Sequence, residues 1–416
     1  MSADALRAAP DPGMRDALAA AVSTERVAIV ATLIRITGDW DLAEDCVQDA
    51  VEKALARWPV DGAPRNPAAW LTTVARNRAL DVLRRRQTER VKLAEVAIMD
   101  ELERHGAAPE ETITDDRLRL IFTCCHPALP VESRVALTLK TVAGLRTSEI
   151  ARAFLTTGPT LSQRLLRAKR KISNAAIPYR VPPDHLLPER TSGVLAVVYL
   201  IFNAGYGTPD GDLAAEALRL SRLLADLLPD DDEVRGLLAL VLFQHARRAA
   251  RFDAAGDLVP MEEQDRGAWD RTLIDEGRRQ LRRAGSAGRP PGTYRLQAAI
   301  AGCHATAPDA GSTDWAAIVS HYDALLVAQP SPVIALNRAI AIGFCDGAVA
   351  GLMELDPVSE APELAGYHLV PATRADFLRR LGRTAEAAAA YREAYDLAPS
   401  AADRRFIQRR LRECAP

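Results

Sequence analysis

Aromatic side chains are scarce in this chain of 416 residues: Phe, Trp and Tyr make up 5% of it. Alternating runs rich in Val and Ile are equally hard to find. Together these absences argue against a sheet-based fold, because strands draw on β-branched and aromatic residues. Cysteine is sparse as well. Six cysteines at irregular spacing in a chain this long exclude a disulfide framework. No apolar run approaches the roughly 20 residues that a bilayer span needs, so no membrane association is expected. The start, MSADALRAAPDPGMRD, lacks the charged-then-apolar layout of a secretion signal, and a cytoplasmic location is expected. Nor does one sign of charge dominate: 53 Lys and Arg face 55 Asp and Glu. The total therefore says nothing about partners, and only local clusters can.

What is plentiful is Ala, Leu and Arg, all strong helix formers, and an all-α chain is expected. Its length is too great for one ordinary core. Residues 15–90 read as several helices. Residues 91–113 are acidic with weak periodicity and read as a linker. Helical pattern resumes at 114–177, beginning near Asp115. Residues 178–190 contain four prolines and read as a second linker. From 191 to 416 the chain is helical again. Within this last part Tyr322 and Pro330 recur as Tyr391 and Pro399, each 69 residues on. That is about twice the 34-residue tetratricopeptide period. RRLGRTAEAAAAYREAYDLAP carries the landmarks of that repeat: Gly382 at a turn, then Ala387, Tyr391, Ala394 and Pro399. The pattern is clearest over 315–400, and it makes a peptide, protein or ligand at the C-terminal repeats a further class of partner.

The densest positive charge lies in TLSQRLLRAKRKI, residues 160–172, which holds Arg164, Arg167, Lys169, Arg170 and Lys171 and no acid. Leu161, Leu165, Ala168 and Ile172 share one helical face, and Gln163, Arg167 and Arg170 lie opposite it. Thr160 with Gln163 reads as a capping box that starts this helix. In the preceding GLRTSEIARAF, Thr147 is the expected cap and Glu149 favours the positive helix end. Ile150, Ala153 and Phe154 form the apolar stripe, and TTGP breaks the helix. Two short helices joined by a tight turn, the second basic, form a helix-turn-helix layout. A solvated basic helix in an ordinary bundle is the plainer alternative.

Near the N-terminus, Asp41 and Glu44 read as a capping box for DWDLAEDCVQDAVEKALARWP. Leu42, Cys46, Val47, Ala50, Val51, Ala54 and Leu55 form its buried stripe. Glu44, Asp45, Gln48, Asp49 and Glu52 share the other face, which suits a basic protein partner, although solvation is the ordinary role of such a face. Asn66 caps the next helix, with Pro67 in its first position. That helix ends in Arg84, Arg85 and Arg86, which suit its C-terminus and lie well for phosphates.

These segments carry a specific resemblance. DLAEDCVQDAVEKALARW with NPAAWLTTVARNRALDVLRRR resembles the sigma-2 domain of extracytoplasmic-function sigma factors. LIFTCCHPALPVESRVALTLKTVAGLRTSEIARAFLTTGPTLSQRLLRAKRKI resembles their helix-turn-helix sigma-4 domain. FTCCHPAL and VVYLIFNAGY are similar to the subgroup that carries a long tetratricopeptide-like C-terminal extension. The chain departs from that subgroup at Ala204, where Glu is usual, and at Ala348 after Asp346 and Gly347, where Pro is usual.

The resemblance implies a sigma factor that binds core RNA polymerase and directs promoter recognition, regulated by its extension. Core contact would fall on Asp45, Gln48 and Asp49. The unpaired minus-ten strand would meet Trp58, Arg65 and Asn66, with Arg76, Arg84 and Arg85 on nearby phosphates. Trp70 is assigned to the core. The minus-thirty-five duplex would be read by Ser162, Gln163 and Arg167, with Lys169, Arg170 and Lys171 adding sequence-independent affinity. No covalent chemistry, cofactor or metal is implied, and the polymerase is the enzyme. CCH at Cys124 to His126 lacks zinc-knuckle spacing. Packing is its first assignment, with thiol sensing and metal binding as alternatives. Two other functional readings stand beside the first: a helix-turn-helix repressor with a repeat-type sensor domain, and a repeat scaffold whose basic helices are incidental.

Overall fold

A computed structural model of the chain describes residues 12–89, 110–154, 156–175, 177–206, 212–253, 256–285 and 290–414. Among these residues there are 18 α-helices and no strand, only an isolated bridge between Phe252 and Leu258. The expected linker at 91–113 lies mostly outside the described residues. Its last part is helical, because the helix predicted to resume near Asp115 begins at Glu110. The chain divides into two compact units after Leu200.

The first unit is organised around α1 (Pro12–Thr37). Val27, Ala28, Ile29, Val30, Ala31, Leu33 and Ile34 are all buried, so this stretch is covered on every side. It packs against α2 (Trp40–Asp61), α3 (Pro67–Glu89) and α4 (Glu110–Cys124). Asp116 of α4 is fully buried, which is costly for a carboxylate unless its oxygens are matched. Arg35 Nε donates to it at 2.9 Å, Thr32 Oγ1 at 3.2 Å and Arg119 Nη1 at 3.3 Å. Tyr179 Oη donates to the carbonyl of Ala31 at 2.9 Å, so the Pro-rich segment is pinned onto α1.

Next come α5 (Val131–Leu137), which runs into a π-helical turn at Thr138–Ala143, then α6 (Thr147–Ala153) and α7 (Gly158–Asn174). Gly144 ends the π turn at φ +82°, a left-handed conformation that favours glycine. Arg26 of α1 reaches across to donate to the carbonyl of Thr141 at 2.8 Å. The following helix α8 (Leu187–Tyr206) starts before the expected linker ends, so the linker is shorter than its prolines indicate.

The second unit holds α9 (Asp212–Leu227), α10 (Asp232–Ala246), α11 (Arg271–Ala284) and α12 (Thr293–Thr306), followed by a run in which each helix packs on the one before it. That run is α13 (Trp315–Ala328), α14 (Pro332–Cys345), α15 (Ala348–Ser359), α16 (Leu369–Arg380), α17 (Thr384–Leu397) and α18 (Ala401–Glu413). The start of α12 is held by Glu233, which accepts from Tyr294 N at 2.8 Å and from Arg295 N at 3.1 Å. A carboxylate at a helix N-terminus is favoured by the dipole. Gly382 at φ +73° makes the turn between α16 and α17, and Ala387, Tyr391 and Ala394 are buried behind it. Arg338 binds Asp323 and Glu354, both at 2.6 Å, and so ties α13, α14 and α15 together.

Candidate nucleic-acid interface

The basic helix has the face expected of it. Leu161, Leu165, Ala168 and Ile172 are buried, and Ser162, Gln163, Arg167, Arg170 and Lys171 are exposed. It begins earlier than its sequence indicates. Thr157 is the cap, accepting from Thr160 N at 3.3 Å, and Pro159 occupies the first turn. Thr160, the expected starter, is therefore inside the helix. In α6 the cap is Arg146 rather than Thr147, and Glu149 reaches back to accept from Arg146 N at 2.7 Å. The buried stripe of α6 is Ile150 and Ala151, whereas Ala153 and Phe154 are exposed. Arg164, Arg167 and Lys171 face Glu132 across a groove of about 330 Å³ between α5 and α7.

Lys169 stands apart from its neighbours. Its side chain is 13% exposed, and Nζ donates to Asp41 Oδ1 at 2.7 Å and Glu44 Oε2 at 3.3 Å. Burial opposes its charge, but Glu44 and Asp41 outweigh burial and raise its pKa. This corrects the expectation for Lys169, whose ammonium is engaged by α2 here. Glu44 also accepts from Thr141 Oγ1 at 3.1 Å.

On α2 the cap is Asp39, accepting from Leu42 N at 3.0 Å, and not Asp41. Trp40 is buried, and it opens the helix. The buried stripe runs Leu42, Ala43, Cys46, Val47, Ala50, Ala54 and Trp58, while Leu55, expected inside, is 47% exposed. Asp45 and Gln48 are exposed and Asp49 is half-buried. All three line one groove of about 330 Å³ between α2 and α3. Its far wall includes Arg78, whose Nε donates to Asp49 at 2.6 Å. Sequence reasoning passed over Arg78, which no motif marks; only its position opposite Asp49 shows its importance.

The minus-ten set divides. Arg65, Asn66, Arg84 and Arg85 are exposed, and Arg76 is half-buried. Asn66 caps α3, accepting from Ala69 N at 3.0 Å. Trp58 does not fit the role given to it. It is 2% exposed, because α2 continues through Pro59 to Asp61 and carries the indole inward. There it packs edge-on against Trp70, with ring centroids 5.6 Å apart. A ring so placed offers no face to a base. Cys124 and Cys125 are buried, and burial raises both thiol pKa values, that of Cys125 to about 11. Thiols held protonated in this way are poor nucleophiles and poor ligands.

Comparison with known proteins fits this arrangement. Residues 22–89 match the family Sigma-70 region 2, and residues 119–172 match Sigma-70, region 4. Residues 190–285 match a family of unknown function, DUF6596. The chain is 40% identical over 401 residues to an uncharacterized protein of Rhizobium meliloti, covering 94% of each. It is 30% identical over 171 residues to a probable ECF RNA polymerase sigma factor SigI of Mycobacterium tuberculosis, covering 40% of this chain and 58% of that protein. The chain belongs to the sigma-70 family, in its extracytoplasmic-function form with a C-terminal extension. Among the described residues no helix is long and apolar enough to cross a membrane.

Proposed function

We propose that this chain binds core RNA polymerase, directs it to promoters and is regulated by its C-terminal extension. The observation that carries the reading is the pairing, in one unit, of an acidic groove with a helix-turn-helix whose second helix is basic outside. Asp45, Gln48 and Asp49 are the proposed core contacts. Gln163 and Arg167, with Ser162, sit near the start of α7, where a recognition helix meets base edges. Arg170 and Lys171, further along, are proposed to hold phosphates, as are Arg84 and Arg85 of α3. Arg65, Asn66 and Arg76 remain the candidates for the unpaired strand. The chain supplies no chemistry of its own in this reading, and the cytoplasm is its place of work. The helical pairs after Trp315 are proposed to be tetratricopeptide-like, on the strength of Gly382 at its turn and of Ala387, Tyr391 and Ala394 in the core.

The experiment is transcription from a promoter panel by core polymerase with and without the purified chain. Start sites that depend on the chain support the reading. Operator binding that needs no core, with no initiation, replaces it with a repressor.

A further inference from the structure

The second unit contains a cavity of about 680 Å³, a size typical of sites for small organic ligands. One wall is a column of stacked groups. His304 meets Trp315 edge-on with centroids 5.2 Å apart. Trp315 lies flat on Phe344 at 4.3 Å with 10° between planes. The guanidinium of Arg380 covers Phe344 at 3.8 Å. The stacked groups cover one another's faces, so the wall turns apolar ring edges toward the cavity, against which a flat ring packs edge-to-face.

The charges around it leave a remainder. Arg380 is matched by Asp376 at 2.7 Å, and Arg410 by Glu263 at 2.6 Å and Glu413 at 3.0 Å. Arg266 also lines the cavity and is only 8% exposed, yet no carboxylate touches it among the described residues. Its Nη1 donates to the carbonyls of His304 at 2.6 Å and Ala307 at 2.9 Å. Nε and Nη2 find no acceptor among the described residues. Guanidinium carries five donors, and a buried one leaves few of them idle. Nearby, Arg247 is buried as well and donates to Tyr206 and Gln244, both neutral. Asp309 acts on Arg266 only from beyond contact distance, and His304 feels the two guanidiniums: burial first, then Arg247 and Arg266, lower its pKa to about 4.

The geometry points to a binding site for a small aromatic acid, its flat body against the Trp315–Phe344 wall and its single acidic group on Arg266. Water can satisfy an idle donor, but only an anion also neutralises a buried charge. One surplus guanidinium selects a mono-acid, because Glu262 and Asp376, which also line the cavity, repel a second negative group. The inference is independent of the promoter reading, and its test involves no polymerase.

The test uses the full chain, calorimetry and two probes of nearly equal shape, 2-naphthoate and 2-naphthamide. One molecule of naphthoate should bind per chain, with the amide at least about tenfold weaker, as expected for loss of a charge-assisted hydrogen bond. Arg266→Met should bring naphthoate down to the level of the amide and leave the amide unchanged. Ile340→Trp fills the cavity without removing a charge and should abolish binding of both. Equal affinity for acid and amide in the unaltered chain would overturn the proposal, as would no saturable binding of either. Naphthoate binding that survives Ile340→Trp would also overturn it. If Arg266→Met does not fold, the acid-to-amide ratio and the Ile340→Trp result still decide.

Discussion

Lys169 Nζ sits 2.7 Å from Asp41 Oδ1, and through it the basic helix α7 is tied to the acidic helix α2. With Glu44 at 3.3 Å, the ammonium is held between two carboxylates of the other helix, and Glu44 is itself only 15% exposed. The charge on this face of α7 is satisfied inside the unit, while that of Arg167, Arg170 and Lys171 faces solvent.

A double-mutant cycle of Lys169→Ala and Glu44→Ala should give a coupling energy of about 1–3 kcal/mol, as for partly buried partners in one network. Urea unfolding of the four variants measures it, and additive effects would refute the clasp. Lys169 has its pKa raised in the fold, so its contribution is whole at neutral pH. It is lost only as pH rises above the ordinary lysine value and through the raised one.

Asp45→Lys should weaken core-polymerase binding by several kcal/mol, the usual cost of like charges at an interface, with the helical signal unchanged. Asp45 is the cleaner probe, because Asp49→Lys also breaks the pair with Arg78. Undiminished competition for core polymerase by Asp45→Lys would remove α2 from the interface.

Gln163→Ala and Arg167→Ala should each relax sequence preference at one promoter position by about 1–3 kcal/mol. Lys171→Ala should weaken binding on every sequence and lower the salt slope by about one. Selection from randomised promoters separates the two outcomes, and a uniform loss in all three variants would mean that α7 reads no bases.

Acidification should destabilise the second unit through His304. Its pKa is about 4 in the fold, below the ordinary histidine value, so between the two the unfolded chain binds more protons. Stability is therefore whole above about pH 6.5 and falls toward pH 4, by roughly 1.4 kcal/mol per pH unit at most. His304→Gln should flatten that part of the profile in urea unfolding, and an unchanged slope would count against it.

Gly343→Ala should cost about 1–3 kcal/mol by overpacking, since a methyl there runs into the Phe377 ring. Phe377→Leu in the same chain should recover part of that loss. Thermal unfolding of single and double variants gives the answer, and a neutral Gly343→Ala would show that the ring moves freely.

Local periodicity made the helices and their inner faces legible. In α7 four apolar residues at spacings of four, three and four are the four that are buried. Caps were less legible, because acids or threonines stand two or three positions apart and either can accept the same amide. Burial of Trp40 selects Asp39 over Asp41, and Pro159 in the first turn selects Thr157 over Thr160. The inward turn of Trp58 is not legible because a proline follows it directly, yet α2 runs on through Pro59 to Asp61. The clasp of Lys169 joins residues 128 apart, and the cavity gathers side chains from Pro260 to Arg410. No pattern of short period carries pairings of that range.

Ten of the fifteen residues of α10 are buried, on every side of the helix. Both α11 and α12 lean on it, and Glu233 in its first turn holds the start of α12. The order in which the second unit comes apart follows from this. Its backbone amides should be the last to exchange with heavy water. A polar substitution at Leu237 or Val241 takes the seat from under two helices at once.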